Sequence, residues 1–146
     1  MAIFIHEQNT MFHVKQKRFV KTWLKTLVQN NGAKPGDINI ILQSDEEILA
    51  LNQQALQHDY YTDIITFNYN SNKTISGDLF ISIDRIKENA LTFASSTEEE
   101  LRRVMAHGVL HLLGFNDKTA REQQIMRKKE NEALHLFREL FHVKHE

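Results

Sequence analysis

Residues 105–118 read MAHGVLHLLGFNDK. His107 and His111 stand four positions apart, so on an α-helix they share one face, one turn apart, where two imidazoles can reach one metal ion. Gly114 is placed to adopt the left-handed conformation that ends a helix and turns the chain back. Asp117 then follows at a distance from which its carboxylate can swing toward the two histidines. The result is a His/His/Asp set with a fourth position open to water or substrate, the composition of a catalytic zinc site rather than a closed structural one. In a chain with eight histidines a bare i,i+4 pair carries little weight. The apolar run around this pair, the helix-ending glycine and the acid beyond it give it meaning.

Working outward, Leu101, Val104, Met105, Leu110, Leu112 and Leu113 fall on more than one side of the same helix, which predicts a buried central element. Ser96 with Glu99, or Thr97 with Glu100, would cap its start. Upstream, alternation through Ile3 and Ile5 predicts a strand over residues 2–8. Helical spacing of Val20, Trp23, Leu24, Leu27 and Val28 predicts a helix over 12–31, stopped by Gly32, with Trp23 in the core. Pro35 and Gly36 read as a turn before a second strand, 37–43. Ser44 with Glu47 is a capping box opening a helix that runs to about Leu56. After a polar loop at 57–62, a third strand around Ile64, Ile65, Phe67 and Tyr69 and a fourth over 75–83 should form a hairpin. Gly77 inside the fourth suggests a bulge or a close backbone approach. A short helix over 84–93 leads to the central helix. A final amphipathic helix over 119–140 presents Ile125, Leu134, Phe137 and Leu140. Four strands mixed with about five helices, without strict βαβ alternation, predict an α+β fold: a mixed four-stranded sheet with the metal-motif helix packed against it.

At 146 residues, the chain is expected to form one domain, 1–146. Its 41% hydrophobic and 25% charged residues are those of an ordinary globular protein. The absence of cysteine excludes disulfides, thiolate zinc sites and cysteine nucleophiles, leaving histidine and carboxylate as the strong ligands. With no secretory pattern in MAIFIHEQNT and no long apolar run, a cytoplasmic location without membrane contact is expected. A net charge of −1 makes no global electrostatic case for nucleic-acid binding. Two basic runs, Lys15, Lys17, Arg18, Lys21 and Lys25, then Arg127, Lys128 and Lys129, read as solvated helix faces that leave room for a local phosphate track.

A metal held by two histidines and a carboxylate lowers the pKa of bound water toward neutrality and polarises carbonyl or phosphoryl oxygens, which is hydrolytic chemistry. The metalloprotease motif H-E-x-x-H places its general base where this chain has Gly108, so a conventional zinc peptidase is disfavoured. A glycine in mid-helix costs roughly 1 kcal/mol against alanine, and close approach of another backbone or of substrate would explain it.

The pattern His107-Gly108-x-Leu110-His111-Leu112-x-Gly114 resembles the H-G-x-L-H-L-x-G-Y-D-H signature of the YbeY family of metal-dependent single-strand endoribonucleases. Leu51-Asn52, Asp59, Thr62-Asp63, Ile65 and Phe67 resemble that family's L-N-x-x-Y-R-x-K-D-x-x-T-D-V-L-S-F stretch, and Gly77-Asp78-Leu79 its G-D-I strand. The resemblance implies a zinc-dependent endoribonuclease acting on single-stranded rRNA in 16S rRNA 3′-end maturation and ribosome quality control. The metal ligands would be His107, His111 and Asp117, with His58 and Asp63 as further catalytic candidates and Asp78 as a plausible neighbour. It also implies contact with the small ribosomal subunit and with a ribosome-assembly GTPase. Two departures stand out. Asp117 occupies the position of the signature's last histidine, and Ala55 and Leu56 stand where the family pattern has its aromatic residue and arginine. An arginine there would suit phosphate contact or charge stabilisation; His58 is the nearby cation that could substitute. Two other readings remain open: a hydrolase of a small amide or ester, and a non-catalytic ribosome-associated factor. His6, His13, His135, His142 and His145 lack ligand spacing and are expected at the surface.

Overall fold

The computed structural model describes residues 2–7, 11–56 and 62–141. The elements follow as β1 (Ile3–Glu7), α1 (Lys17–Asn30), β2 (Lys34–Gln43), α2 (Asp45–Leu56), β3 (Ile64–Asn68), β4 (Thr74–Ser82), α3 (Ile83–Thr92), α4 (Thr97–Leu112) and α5 (Ala120–Phe141). The sheet order is β1-β2-β4-β3. β1, β2 and β4 run parallel, and β3 closes the edge as the antiparallel hairpin partner of β4. This is the mixed four-stranded α+β arrangement that the sequence predicts.

Strand alternation divides the sheet into two faces. Ile38, Ile40 and Leu42 of β2 and Leu79 and Ile81 of β4 join the main core with Trp23, Leu24 and Val28 of α1 and Met105 and Val109 of α4. Ile41 and Ile65 are buried outside that cluster, together with Ile48 of α2, which packs on β3 and β4. α4 lies against β3 and β4 on one side and against α5 and α3 on others, which explains why its apolar residues surround it rather than form one stripe. Trp23 is fully buried. Its indole N–H donates to the carbonyl of Ala133 at 2.7 Å and its ring meets Phe137 edge-on, fastening α1 to α5.

Local signals set the boundaries. The amide N–H of Glu47 donates to the Ser44 hydroxyl, and the Glu47 carboxylate accepts the Ser44 amide N–H, a reciprocal capping box at the start of α2. The Ser96 hydroxyl accepts the amide N–H of Glu99 at the start of α4. Three expectations are corrected. α1 starts at Lys17 rather than near Phe12, because the Glu7 carboxylate accepts the amide N–H of Val14 at 2.6 Å and ties that segment to β1. Pro35 and Gly36 lie inside β2, where a register irregularity between Pro35 and Ile38 absorbs the proline. A Cβ at Gly36 would stand 2.9 Å from the carbonyl oxygen of Ile75, so glycine lets β2 approach β4 there. On α5, the buried face is Met126, Glu130, Ala133, Leu134 and Phe137; Ile125 and Leu140 stay more than a third exposed. Among the described residues no helix is long and apolar enough to cross a membrane.

Candidate metal centre

α4 ends in a Schellman closure: Gly114, at φ 105°, donates its N–H to the carbonyl of His111, and Phe115 donates to that of Leu110. The chain therefore reverses directly beneath the second histidine. It is then caught again three residues past Asn116, where Thr119 and Glu122 form a second capping box. The Glu122 carboxylate accepts the amide N–H groups of Lys118 and Thr119, and the Thr119 hydroxyl accepts that of Glu122. Asp117 sits in this short connection, fixed at both ends.

The consequence is a triangle of ligand atoms. Nε2 of His107 and Nε2 of His111 lie 3.0 Å apart. Oδ2 of Asp117 lies 3.2 Å from the His111 nitrogen and 3.3 Å from that of His107. A tetrahedral zinc with ligands at about 2.0–2.1 Å separates any two of them by about 3.3–3.4 Å, so the three residues fit a zinc ion as they stand. The triangle forms one wall of an open cleft of about 430 Å³, also lined by Asn52, Thr62, Asp63 and Thr66.

The first histidine is held from behind. Nδ1 of His107 and Oε2 of Glu130 are 2.6 Å apart, and the other Glu130 oxygen accepts from Arg103 at 3.1 Å. Burial works against charge on His107, but the hydrogen bond and charge of Glu130, with Asp117 and Asp63 behind it, outweigh burial and raise its pKa. Burial likewise opposes ionisation of Glu130, yet His107 and Arg103 keep its carboxyl below the ordinary value. A carboxylate on Nδ1 fixes the tautomer that leaves Nε2 free as a ligand. Glu130 and Arg103 are neighbours of the site that sequence reasoning missed. The available signal was an acid in register with Met126, Ala133 and Phe137 on the buried face of α5.

Asp63 precedes β3 and is pinned by its carbonyl, which accepts the amide N–H of Ser82 at 2.9 Å. It lines the cleft, and burial pushes its carboxyl up, partly countered by His107. Asp78 is not a neighbour of the triad. It alternates with Gly77 and Leu79, which pack toward α4, and its carboxylate accepts from Asn39, whose side-chain oxygen meets His6. His58 lies outside the described residues, as do His142 and His145. His6 is half-buried, while His13 and His135 are exposed.

Gly108 and Gly77 explain how tightly the motif helix is seated. A Cβ on Gly108 would meet Ile64 Cδ1 at 2.8 Å and both δ carbons of Leu79 at 3.0 Å. The nearest atoms are side chains of β3 and β4 rather than a second backbone. A Cβ on Gly77 would stand 2.5 Å from the carbonyl oxygen of Phe67 and 2.9 Å from Leu112 Cδ2, the close approach that its place in the strand suggests.

The solution structure of a protein from Thermotoga maritima is similar over 97% of this chain and 92% of its own, with a TM-score of 0.67 and 25% identity. Proteins named endoribonuclease YbeY match much more closely in sequence. That of Parabacteroides distasonis is 49% identical over 134 residues, covering 92% of this chain and 94% of its own. That of Cytophaga hutchinsonii is 45% identical over 136 residues, covering 92% and 95%, and that of Bacteroides thetaiotaomicron 46% identical over 134 residues, covering 92% and 98%. The family model described as endoribonuclease YbeY matches residues 3–138, a span that takes in the triad, the buried partner Glu130 and every strand of the sheet. The chain that carries this centre thus belongs to the YbeY family.

Proposed function

We propose that this protein is a zinc-dependent, single-strand-specific endoribonuclease of the cytoplasm, acting in 16S rRNA 3′-end maturation and ribosome quality control. The observation that carries the reading is the near-equilateral triangle of His107, His111 and Asp117 ligand atoms on the wall of an open cleft, in a chain whose relatives are named endoribonucleases. Zinc bound there supplies Lewis-acid polarisation of a phosphoryl oxygen and a lowered pKa for water.

The chain's own residues do the rest. Glu130 holds a proton on Nδ1 of His107 and Arg103 orients Glu130, so the metal-facing nitrogen is set before substrate arrives. Asp63, raised by its burial and placed at the cleft wall, can carry a proton near the reacting phosphate. The cleft is open along one side, as passage of a single strand requires. The small ribosomal subunit and a ribosome-assembly GTPase are the partners this reading entails.

The test is cleavage of a labelled single-stranded RNA and of its duplex, by the wild-type protein and by His111→Ala purified identically, with metal content measured on both. Wild type should hold one zinc and cut only the single strand, and the variant should do neither. A zinc-loaded wild type that cuts no more than the variant rejects intrinsic ribonuclease activity; turnover of model esters instead of RNA would replace it with small-molecule hydrolysis.

A further inference from the structure

Behind His107, on the side away from the triad, lies a second cavity of about 600 Å³, walled by the 93–95 turn between α3 and α4, by α4 and by α5. His107 and Asp63 line both cavities, so the second cavity adjoins the cleft at these two residues. Glu100 lines the second one. The residue is only 6% exposed, and among the described residues its carboxylate has no hydrogen bond and no ion pair. Its buried neighbour Glu130, by contrast, is held by both His107 and Arg103. Burial raises its carboxyl pKa against the opposing charges of Arg103 and Arg127. Such a group is a place for N–H donors to arrive.

Two further walls carry complementary chemistry. Phe93 lines the cavity yet leaves 65% of its surface exposed. Arg127 also lines it, is exposed, and makes no ion pair among the described residues. A buried acceptor, a free aromatic face and a cation suit the three parts of a nucleotide: base edge, base plane and phosphate. The volume is in the range of small-ligand sites. A bare cation suits it less. No second triad of ligand atoms converges there among the described residues, and the Arg103 and Arg127 side chains would repel a cation.

We propose that this cavity is a nucleobase subsite that takes a guanine of the single strand, with Glu100 accepting the guanine N1–H and 2-amino N–H, Phe93 stacking on the ring and Arg127 meeting a phosphate. Guanine is favoured because its Watson–Crick edge offers two parallel N–H donors, which match the two oxygens of one carboxylate; uracil offers one. The subsite rests on the ribonuclease reading above and adds to it a preference for guanine next to the cleavage position.

The experiment measures binding without cleavage. GMP, IMP and UMP are titrated into the zinc-loaded protein and followed by calorimetry and by backbone amide shifts. GMP should bind at least about tenfold more tightly than UMP, with IMP, which lacks the 2-amino group, losing most of that gain. Glu100→Gln should erase the preference with zinc content unchanged, and Arg127→Ala should weaken all three nucleotides alike. If Glu100→Gln does not fold, the GMP/IMP/UMP series and Arg127→Ala decide alone. Equal binding of the three nucleotides overturns the subsite, as does a guanine preference that survives in Glu100→Gln. Displacement of GMP by a second equivalent of zinc in wild type but not in Glu100→Gln also overturns it, identifying a cation site. RNA cleavage with no nucleotide preference rejects the subsite alone, whereas guanine binding without any cleavage rejects the ribonuclease reading alone.

Discussion

Nδ1 of His107 and Oε2 of Glu130 stand 2.6 Å apart although 23 residues separate them in sequence. One histidine of the candidate metal centre is therefore oriented by the last helix, and the docking of α5 on α4 helps to build that site. Removing such a carboxylate partner of a ligand histidine typically costs about 10–100-fold in metal affinity. Glu130→Gln should show a loss in that range by competition with a zinc chelator, with the circular dichroism of the fold retained. Unchanged affinity would mean that the contact serves packing only. Glu130→Ala should be worse in a different way: it leaves the Arg103 guanidinium without its partner, and breaking a largely buried pair costs about 3–5 kcal/mol of stability.

Asp117 is a carboxylate where the family signature described above has histidine. Its Oδ2 lies within 3.3 Å of both imidazole nitrogens, so the aspartate side chain reaches both histidines. Asp117→Ala should lower zinc affinity by more than the roughly 100-fold that loss of an outer partner can cause. Asp117→His should retain one zinc and, with a neutral ligand replacing an anion, make the ion a stronger Lewis acid and raise the cleavage rate. A rate for Asp117→His below that of wild type, at full zinc occupancy, would show that the loop is built for the carboxylate.

Much of this architecture was legible in the sequence because local signals and global packing agree. The four strands, the capping box at Ser44, the N-cap at Ser96, the five buried residues of α1 and the His107/His111/Asp117 grouping all follow from spacing and turn chemistry. What escaped depends on distant partners. The delay of α1 to Lys17 requires knowing that Glu7 captures the Val14 amide, and the continuation of β2 through Pro35 requires β4 beside it. Ile125 and Met126 differ by one step on the helix, and only the position of α4 decides which is buried. The departure of Asp78 from the site follows from strand parity: Gly77 packs on Leu112, so its neighbour faces the other way. Glu130 was visible only as an acid on an apolar face, with nothing local to name His107 as its partner.

Gly108→Ala opposes two effects of known size. Alanine gains up to about 1 kcal/mol of helix propensity in mid-helix. Against this, the new methyl would approach Ile64 Cδ1 at 2.8 Å and Leu79 at 3.0 Å, and overpacking of this kind typically costs about 1–3 kcal/mol. The clash should win, giving a net destabilisation of about 1 kcal/mol in urea unfolding. The displaced helix carries both histidines, so zinc affinity should fall with stability. A stabilised Gly108→Ala protein would show that Ile64 and Leu79 repack freely, and that the glycine is not what seats α4.

Glu100 supplies a prediction with a definite pH dependence. Burial raises its carboxyl pKa in the folded protein above the ordinary value of 4.5. The folded state therefore keeps a proton that the unfolded chain releases. Its contribution to stability is fully present below pH 4.5 and is lost as pH rises through the folded pKa. As pH rises from 4.5 the wild-type protein should thus lose stability to this buried carboxyl, a loss that Glu100→Gln does not suffer. The variant should gain Tm relative to wild type at pH 7 and lose that advantage on approaching pH 4.5, when measured on zinc-free protein so that metal release does not contribute. A Tm difference independent of pH would show that Glu100 does not change ionisation on folding. A stabilised Glu100→Gln protein with poorer guanine discrimination would place the cost at a residue retained for binding, the usual trade between stability and function at a site.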